Sequence, residues 1–112
     1  MDDDRLPADV WIMAHIRQCI ANGIPATVIR KGDPKGGTLM LKILQYGIGC
    51  RVLSQSRDLD GKLGWMAAFK GEIVPEPEAD EYIARAIKRD PDLWVVEIES
   101  KDGSHPFEGK VF

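Results

Sequence analysis

The chain is poor in cysteine and histidine and has no long apolar run, and each shortage closes a class of function. Two cysteines, Cys19 and Cys50, are too few for a disulfide framework, and with no secretory segment ahead of them they read as reduced thiols. With His15 and His105 they are the only soft metal ligands in the sequence. None stands in a CxxC, HxH or HxxxH spacing, so no metal site and no cofactor is expected. The longest uncharged apolar stretch, Val10 to Ile16 with His15 inside it, is far too short to span a bilayer. The start, MDDDRLP, is acidic and lacks the basic-then-apolar order of a signal peptide. A cytoplasmic protein with no membrane partner is the expectation. Positive charge is also short: Lys and Arg number 15 against 18 Asp and Glu, for a net charge of −3. With no basic cluster written into the chain, nothing draws it toward nucleic acid.

What is present is ordinary in amount. Hydrophobic residues make up 44% and charged residues 29% of 112 positions, the balance of one soluble globular domain covering 1–112. Met1 to Leu6 reads as a frayed acidic arm. A helix is expected from about Pro7 or Asp9 to Asn22, with Ile12, Met13, Ile16, Cys19 and Ile20 forming its core stripe. Asn22-Gly23 stops it. Ala26 to Lys31 reads as a strand, Thr38 to Tyr46 as a second and Cys50 to Gln55 as a third. Gly64 to Lys70, after the hairpin signal Asp60-Gly61, is the fourth. Short turns between them predict an antiparallel meander. A second helix runs from about Glu78 to Arg89, acidic at its start and basic at its end, in keeping with the macrodipole. Asp90-Pro91 stops it. The run DPDLWVVEIE then gives a fifth strand, Leu93 to Glu99, which belongs inside a sheet with Trp94, Val96 and Ile98 on its core face. Asp102-Gly103 turns the tail toward a short sixth strand ending at Val111-Phe112.

Three segments together carry a family resemblance: Asp90-Pro91-Asp92 with Leu93 to Glu99, Trp11 with Arg17 in the first helix, and Arg30-Lys31-Gly32-Asp33 after the first strand. With these the chain resembles a family of small alphaproteobacterial proteins known only as a domain of unknown function. The resemblance covers nearly the whole chain and implies a bacterial origin, but it assigns no catalytic or binding residue.

Candidate chemistry is sparse. The Gly32 to Gly37 loop is flanked by Arg30, Lys31 and Lys35, yet no lysine precedes Thr38 and a strand follows, so it is no phosphate-binding Walker loop. A hairpin turn accounts for it better. No GxSxG elbow is present, and a nucleophilic pairing of Cys50 with His15 would need a tertiary coincidence. Glu97 and Glu99 share one strand face; pairing with Lys42 or Arg51 on neighbouring strands is the plainer account of them.

The expectation is therefore an α+β domain: a mostly antiparallel sheet of five or six strands with two helices on one face. That arrangement leaves Met40, Leu44, Tyr46, Met66, Leu93 and Val95 on a second face too apolar for water. A homodimer formed through this sheet, in a non-enzymatic binding or adaptor protein, is the first functional expectation. The alternative is a small-molecule or nucleotide-binding protein with a cleft near Gly32–Gly37, using Arg17, Arg30, Asp33, Trp65 and Trp11.

Overall fold

A computed structural model describes residues 6–105, 107 and 109–112. Two helices and six strands follow one another as α1 (Ala8–Ala21), β1 (Ala26–Arg30), β2 (Leu39–Gln45), β3 (Gly49–Arg57), β4 (Leu63–Ala67), α2 (Glu76–Arg89), β5 (Trp94–Glu99) and β6 (Lys110–Val111). This is the expected α+β class in the expected order of elements. The acidic arm falls mostly on residues 1–5, outside the described residues; its last member, Leu6, packs against the core. Among the described residues no helix is long and apolar enough to cross a membrane.

The strands form one sheet in the order β1-β5-β2-β3-β4-β6. β2, β3 and β4 make an antiparallel meander. β1 does not join it, because β5 inserts between β1 and β2, antiparallel to the first and parallel to the second. The sheet is thus mixed. The DPDLWVVEIE run explains the insertion: Trp94, Val95, Val96 and Ile98 are all buried, and a strand apolar on both faces belongs in a sheet interior. β1 buries only alternate side chains partly and suits an edge, where a bulge between Val28 and Arg30 breaks its register and blunts it against further pairing. It follows that Gly32–Gly37 is a crossover loop and not a hairpin turn.

The two helices lie on opposite faces, which corrects the one-face expectation. Trp11, Ile12, Ile16 and Cys19 of α1 pack with Leu39, Leu41, Ile43, Trp94, Val96 and Ile98. Ala79, Ile83 and Ala86 of α2 pack with Met40, Cys50, Val52, Leu93 and Val95. Period-2 alternation puts odd and even positions of β2 on different faces, so each helix finds its own apolar layer. The supposed open face is therefore the floor of α2. Met40, Leu93 and Val95 are buried there and Leu44 is partly buried, while Tyr46 (73% exposed) and Met66 (54%) remain outside.

The buried stripe of α1 is also rotated from the expected one. Trp11 and His15 are buried, whereas Met13 and Ile20 face water. The cause is the tail: Phe107 stacks on His15 with ring centroids 5.1 Å apart and meets Trp11 at 6.0 Å and Trp65 at 6.3 Å. The tail thus covers the α1 face, not the face assigned to α2. β4 ends three residues early, at Ala67. Phe69 and Lys70 follow with φ of 55° and 56°, left-handed conformations that cost roughly 1–2 kcal/mol each. The turn swings Phe69 off the Trp65 side and onto Tyr82 of α2, centroids 5.1 Å apart.

Candidate ligand-binding site

A cleft opens on the α1 side where β2 and β3 part. Their register runs only to Met40 opposite Ser54, but β3 continues to Arg57, paired there with β4. At the parting point the Gln55 side chain takes over from the ladder: Leu39 N donates to Gln55 Oε1 at 3.1 Å. The gap beyond has a volume of about 340 Å³, the lower end of the range for small-molecule sites. Leu6, Ala8, Trp11 and Ile12 line one side, Lys35 to Thr38 the second, and Gln55, Ser56, Arg57 and Leu63 the third.

Each wall is held by local chemistry. The loop of residues 32–37 folds back on the segment before β5. Asp33 N donates to the Asp92 carbonyl at 3.0 Å, Trp94 N donates to the Thr38 carbonyl at 2.8 Å, and Trp94 Nε1 donates to the Asp33 carbonyl at 2.7 Å. A β-carbon at Gly32 or Gly37 would collide with the Asp92 carbonyl, so these positions admit only glycine at this approach. The same loop receives the start of α1: Ala8 N donates to the Lys35 carbonyl at 3.1 Å and Asp9 N to the Pro34 carbonyl at 3.0 Å. Two of the helix's orphan N–H groups are thus satisfied by the loop itself. On the third wall Arg57 Nη1 donates to the Gly61 carbonyl at 2.8 Å, and the Asp58 carboxylate fixes that hairpin by accepting from Asp60 N and Lys62 N.

The described charged groups of the cleft are basic. Among the described residues its lining holds Lys35 and Arg57 and no carboxylate. Among the described residues the exposed Lys35 ammonium has no acidic partner. Trp11 lines the cleft, is buried, and its Nε1 has no hydrogen-bond partner among the described residues. A buried N–H left unmatched costs about 1–3 kcal/mol.

Of the residues singled out in the sequence, Trp11 lies in the cleft, together with the Gly36-Gly37 end of the glycine loop. Arg17 is on the exposed side of α1. Arg30 donates to the Lys31 and Pro91 carbonyls, tying β1 to the turn before β5. Asp33 makes the loop contacts already described through its backbone, and its carboxylate accepts from Lys35 N at 3.3 Å. Trp65 is fully buried. Lys35 was visible beside the glycines, but Gln55 and Arg57 were missed; the polar run Ser54 to Arg57, too hydrophilic to end an ordinary core strand, was their only signal.

The remaining reactive groups have structural surroundings. Lys42, on the α2 face, is 4% exposed and bonds Glu76 at 2.7 Å, Asp80 at 2.6 Å and Glu97 at 3.2 Å. Burial alone would push its ammonium down, but hydrogen bonds to Asp80, Glu76 and Glu97 outweigh that and hold it above the usual lysine value. The expected Glu97–Lys42 pairing is thus present, while Glu99 accepts from Tyr46 Oη at 2.7 Å. Cys19 and Cys50 are free and buried on opposite faces. Burial raises both thiols above their ordinary value, which suppresses the reactive thiolate. His15, packed between Trp11 and Phe107, is on the other side of the sheet from Cys50.

Comparison with known proteins agrees with the fold. The family model for a protein of unknown function (DUF1491) matches residues 6–108. The crystal structure of a DUF1491 family protein from Caulobacter crescentus is similar at a TM-score of 0.85 and 38% identity, over 96% of this chain and 99% of that one. An NMR structure of a DUF1491 family protein from the same organism gives 0.83 and 38%, over 96% of each chain. The solution structure of protein Atu0922 from A. tumefaciens shares the fold at a TM-score of 0.72 and 24% identity, over 86% of each chain. No curated protein matches the sequence.

Proposed function

Because the chain belongs to the DUF1491 family, whose function is unknown, we propose its role from geometry: it is a small-molecule-binding protein, and its ligand sits in the cleft between α1, the 35–38 loop and the end of β3. The observation that carries this reading is the parting of β2 and β3, bridged by Gln55 and walled by residues that the rest of the fold locks in place. A preformed concavity of this kind is what ligand sites share. Among the described residues its lining contains no Cys, His, Asp or Glu, the side chains that most often act as nucleophile or general base, and the reading is of binding. Thermal-shift screening against small metabolites tests it. A ligand near a hundredfold its Kd adds about 2.7 kcal/mol to stability. That rise is expected in the wild type and expected to vanish in Ala8→Phe, which fills the cleft. A rise that survives the filled cleft would contradict the reading.

Self-association is a second reading, favoured by a separate observation. Val10, Met13 and Ile20 stand exposed along the outer side of α1, at spacings that put them in one stripe. A homodimer would use this stripe and not the sheet face now covered by α2. Sedimentation of the wild type beside Met13→Glu checks it: a monomer in both cases removes this reading.

A further inference from the structure

We infer that two copies of the chain pair through α1 in one orientation, antiparallel about a two-fold axis at Met13, with Asp9 of each copy facing Arg17 of the partner subunit. The inference rests on the α1 stripe being a self-association surface and adds which side chains meet across it. The first argument is the polarity of the helix. α1 and α2 are both fourteen residues long, but their outer sides differ in kind. α2 exposes nine residues, seven of them charged, whereas α1 exposes seven, of which Arg17 alone is charged. The inner side of α1 is already packed through Trp11, Ile12, Ile16 and Cys19, so the helix is apolar almost all round, and such a helix belongs in an interior. At 100° per residue, Val10, Met13, Ala14, Ile20 and Ala21 fall with Arg17 inside an outer stripe about 120° wide. Its alanines leave room for a second helix to approach.

The second argument is charge, and it selects a copy of this chain as the occupant. Arg17 is exposed, and among the described residues its side chain makes no ion pair or hydrogen bond. The half-buried Asp9 accepts from Val10 N at 2.8 Å and among the described residues meets no cation. These two charges stand four residues before and four after Met13, about 6 Å to either side of it along the axis. A two-fold axis at Met13 with antiparallel helices brings each Asp9 level with Arg17 of the partner subunit, twice per dimer. They lie about 80° apart around the helix, a gap that the long arginine stem spans. A parallel pairing would set arginine on arginine and aspartate on aspartate, which repel. One helix face thus carries both halves of its own complement, as an isologous contact requires.

Two measurements test the orientation. In sedimentation of the full chain at tens of micromolar, the wild type is expected as a dimer. Arg17→Glu sets like charges across the interface and is expected to weaken the dimer about tenfold or more. The double variant Asp9→Lys, Arg17→Glu reverses both charges and is expected to restore it. Arg17 is exposed, so its variant keeps the fold, as an unchanged circular dichroism spectrum would show. The second measurement is disulfide formation under oxidised glutathione. The native Cys19 and Cys50 are buried, so an introduced surface thiol reports alone. Met13→Cys is expected to link two copies, because the axis passes through that position. Ile20→Cys is expected to stay unlinked, since the two copies of that residue stand about 21 Å apart along the axis, far beyond the reach of a disulfide. A wild-type dimer that is indifferent to Arg17→Glu, that the double variant fails to restore, or that links through Ile20→Cys and not Met13→Cys overturns the antiparallel pairing and leaves the stripe as the interface. A wild-type monomer with no linking through Met13→Cys removes the pairing and the stripe together.

Discussion

Replacing Lys42 by methionine should show how α2 is held to the sheet. The aliphatic stem is retained and only the ammonium is lost. Three carboxylates then face one another with no cation between them: Glu76 and Asp80 from the first turns of α2, and Glu97 from β5. Breaking a fully buried pair by removing one partner costs about 3–5 kcal/mol. Here the carboxylate side chains are 46%, 54% and 26% exposed, so water recovers part of that and the exposed pairs approach the small surface value. A loss of about 2 kcal/mol is expected, equivalent to a fall of roughly 8–12 °C in Tm for a domain near this size. Urea unfolding followed by tryptophan fluorescence should show a lower midpoint with an unchanged slope. Glu97→Gln in the Lys42→Met background should return about 1 kcal/mol by removing the least hydrated of the stranded charges. The ammonium is held above its ordinary value, so its contribution is complete below that value and is lost only as pH rises through the raised one. The difference between the two proteins should therefore stay flat from neutral to mildly alkaline pH. A Lys42→Met protein as stable as the wild type would refute the reasoning, because desolvation of the lysine would then have cancelled its pairing.

Three further outcomes follow from packing and titration. Gly37→Ala forces a β-carbon into the Asp92 carbonyl and to 2.8 Å from Trp94 Cδ1; a loss of about 2–3 kcal/mol in urea unfolding is expected from overpacking. Phe107→Ala empties the ring site between Trp11, His15 and Trp65 and should cost about 3 kcal/mol, with faster hydrogen exchange at Trp65 and Val111 where β6 pairs with β4. Burial pushes the His105 imidazole below its ordinary value, so the unfolded chain binds the proton more readily. Stability should be complete above the ordinary histidine range and decline as pH falls through it toward the depressed value; His105→Gln should remove that part of a stability-versus-pH curve.

The elements themselves were legible because their signals are local. The apolar alternation of β2, the Asp60-Gly61 hairpin between β3 and β4, and the charge order of α2 all depend on neighbours in sequence. The interior position of DPDLWVVEIE was legible too, since Trp94, Val95 and Val96 leave no polar face to expose. What could not be read was which distant surfaces meet. Met40 and Val95 looked like an unpaired face because nothing local says that α2 crosses to the side opposite α1. Trp11 and His15 looked peripheral because their partner, Phe107, lies more than ninety residues away. The cleft was half legible. Gly36, Gly37 and Lys35 announced a cation-bearing loop near Trp11, but Arg57 reaches it only because β3 outruns its pairing with β2, and strand splay is a property of the sheet. Arg30 and Asp33 looked available for a ligand, yet the turn before β5 uses them both.

The most direct measurement for the cleft is a co-crystal structure of the chain with the strongest stabiliser from the thermal-shift screen. The ligand is expected in the gap lined by Trp11, Ile12, Lys35 and Gln55. Ligand bound at any other place, with the cleft unchanged at saturating concentration, would contradict the account.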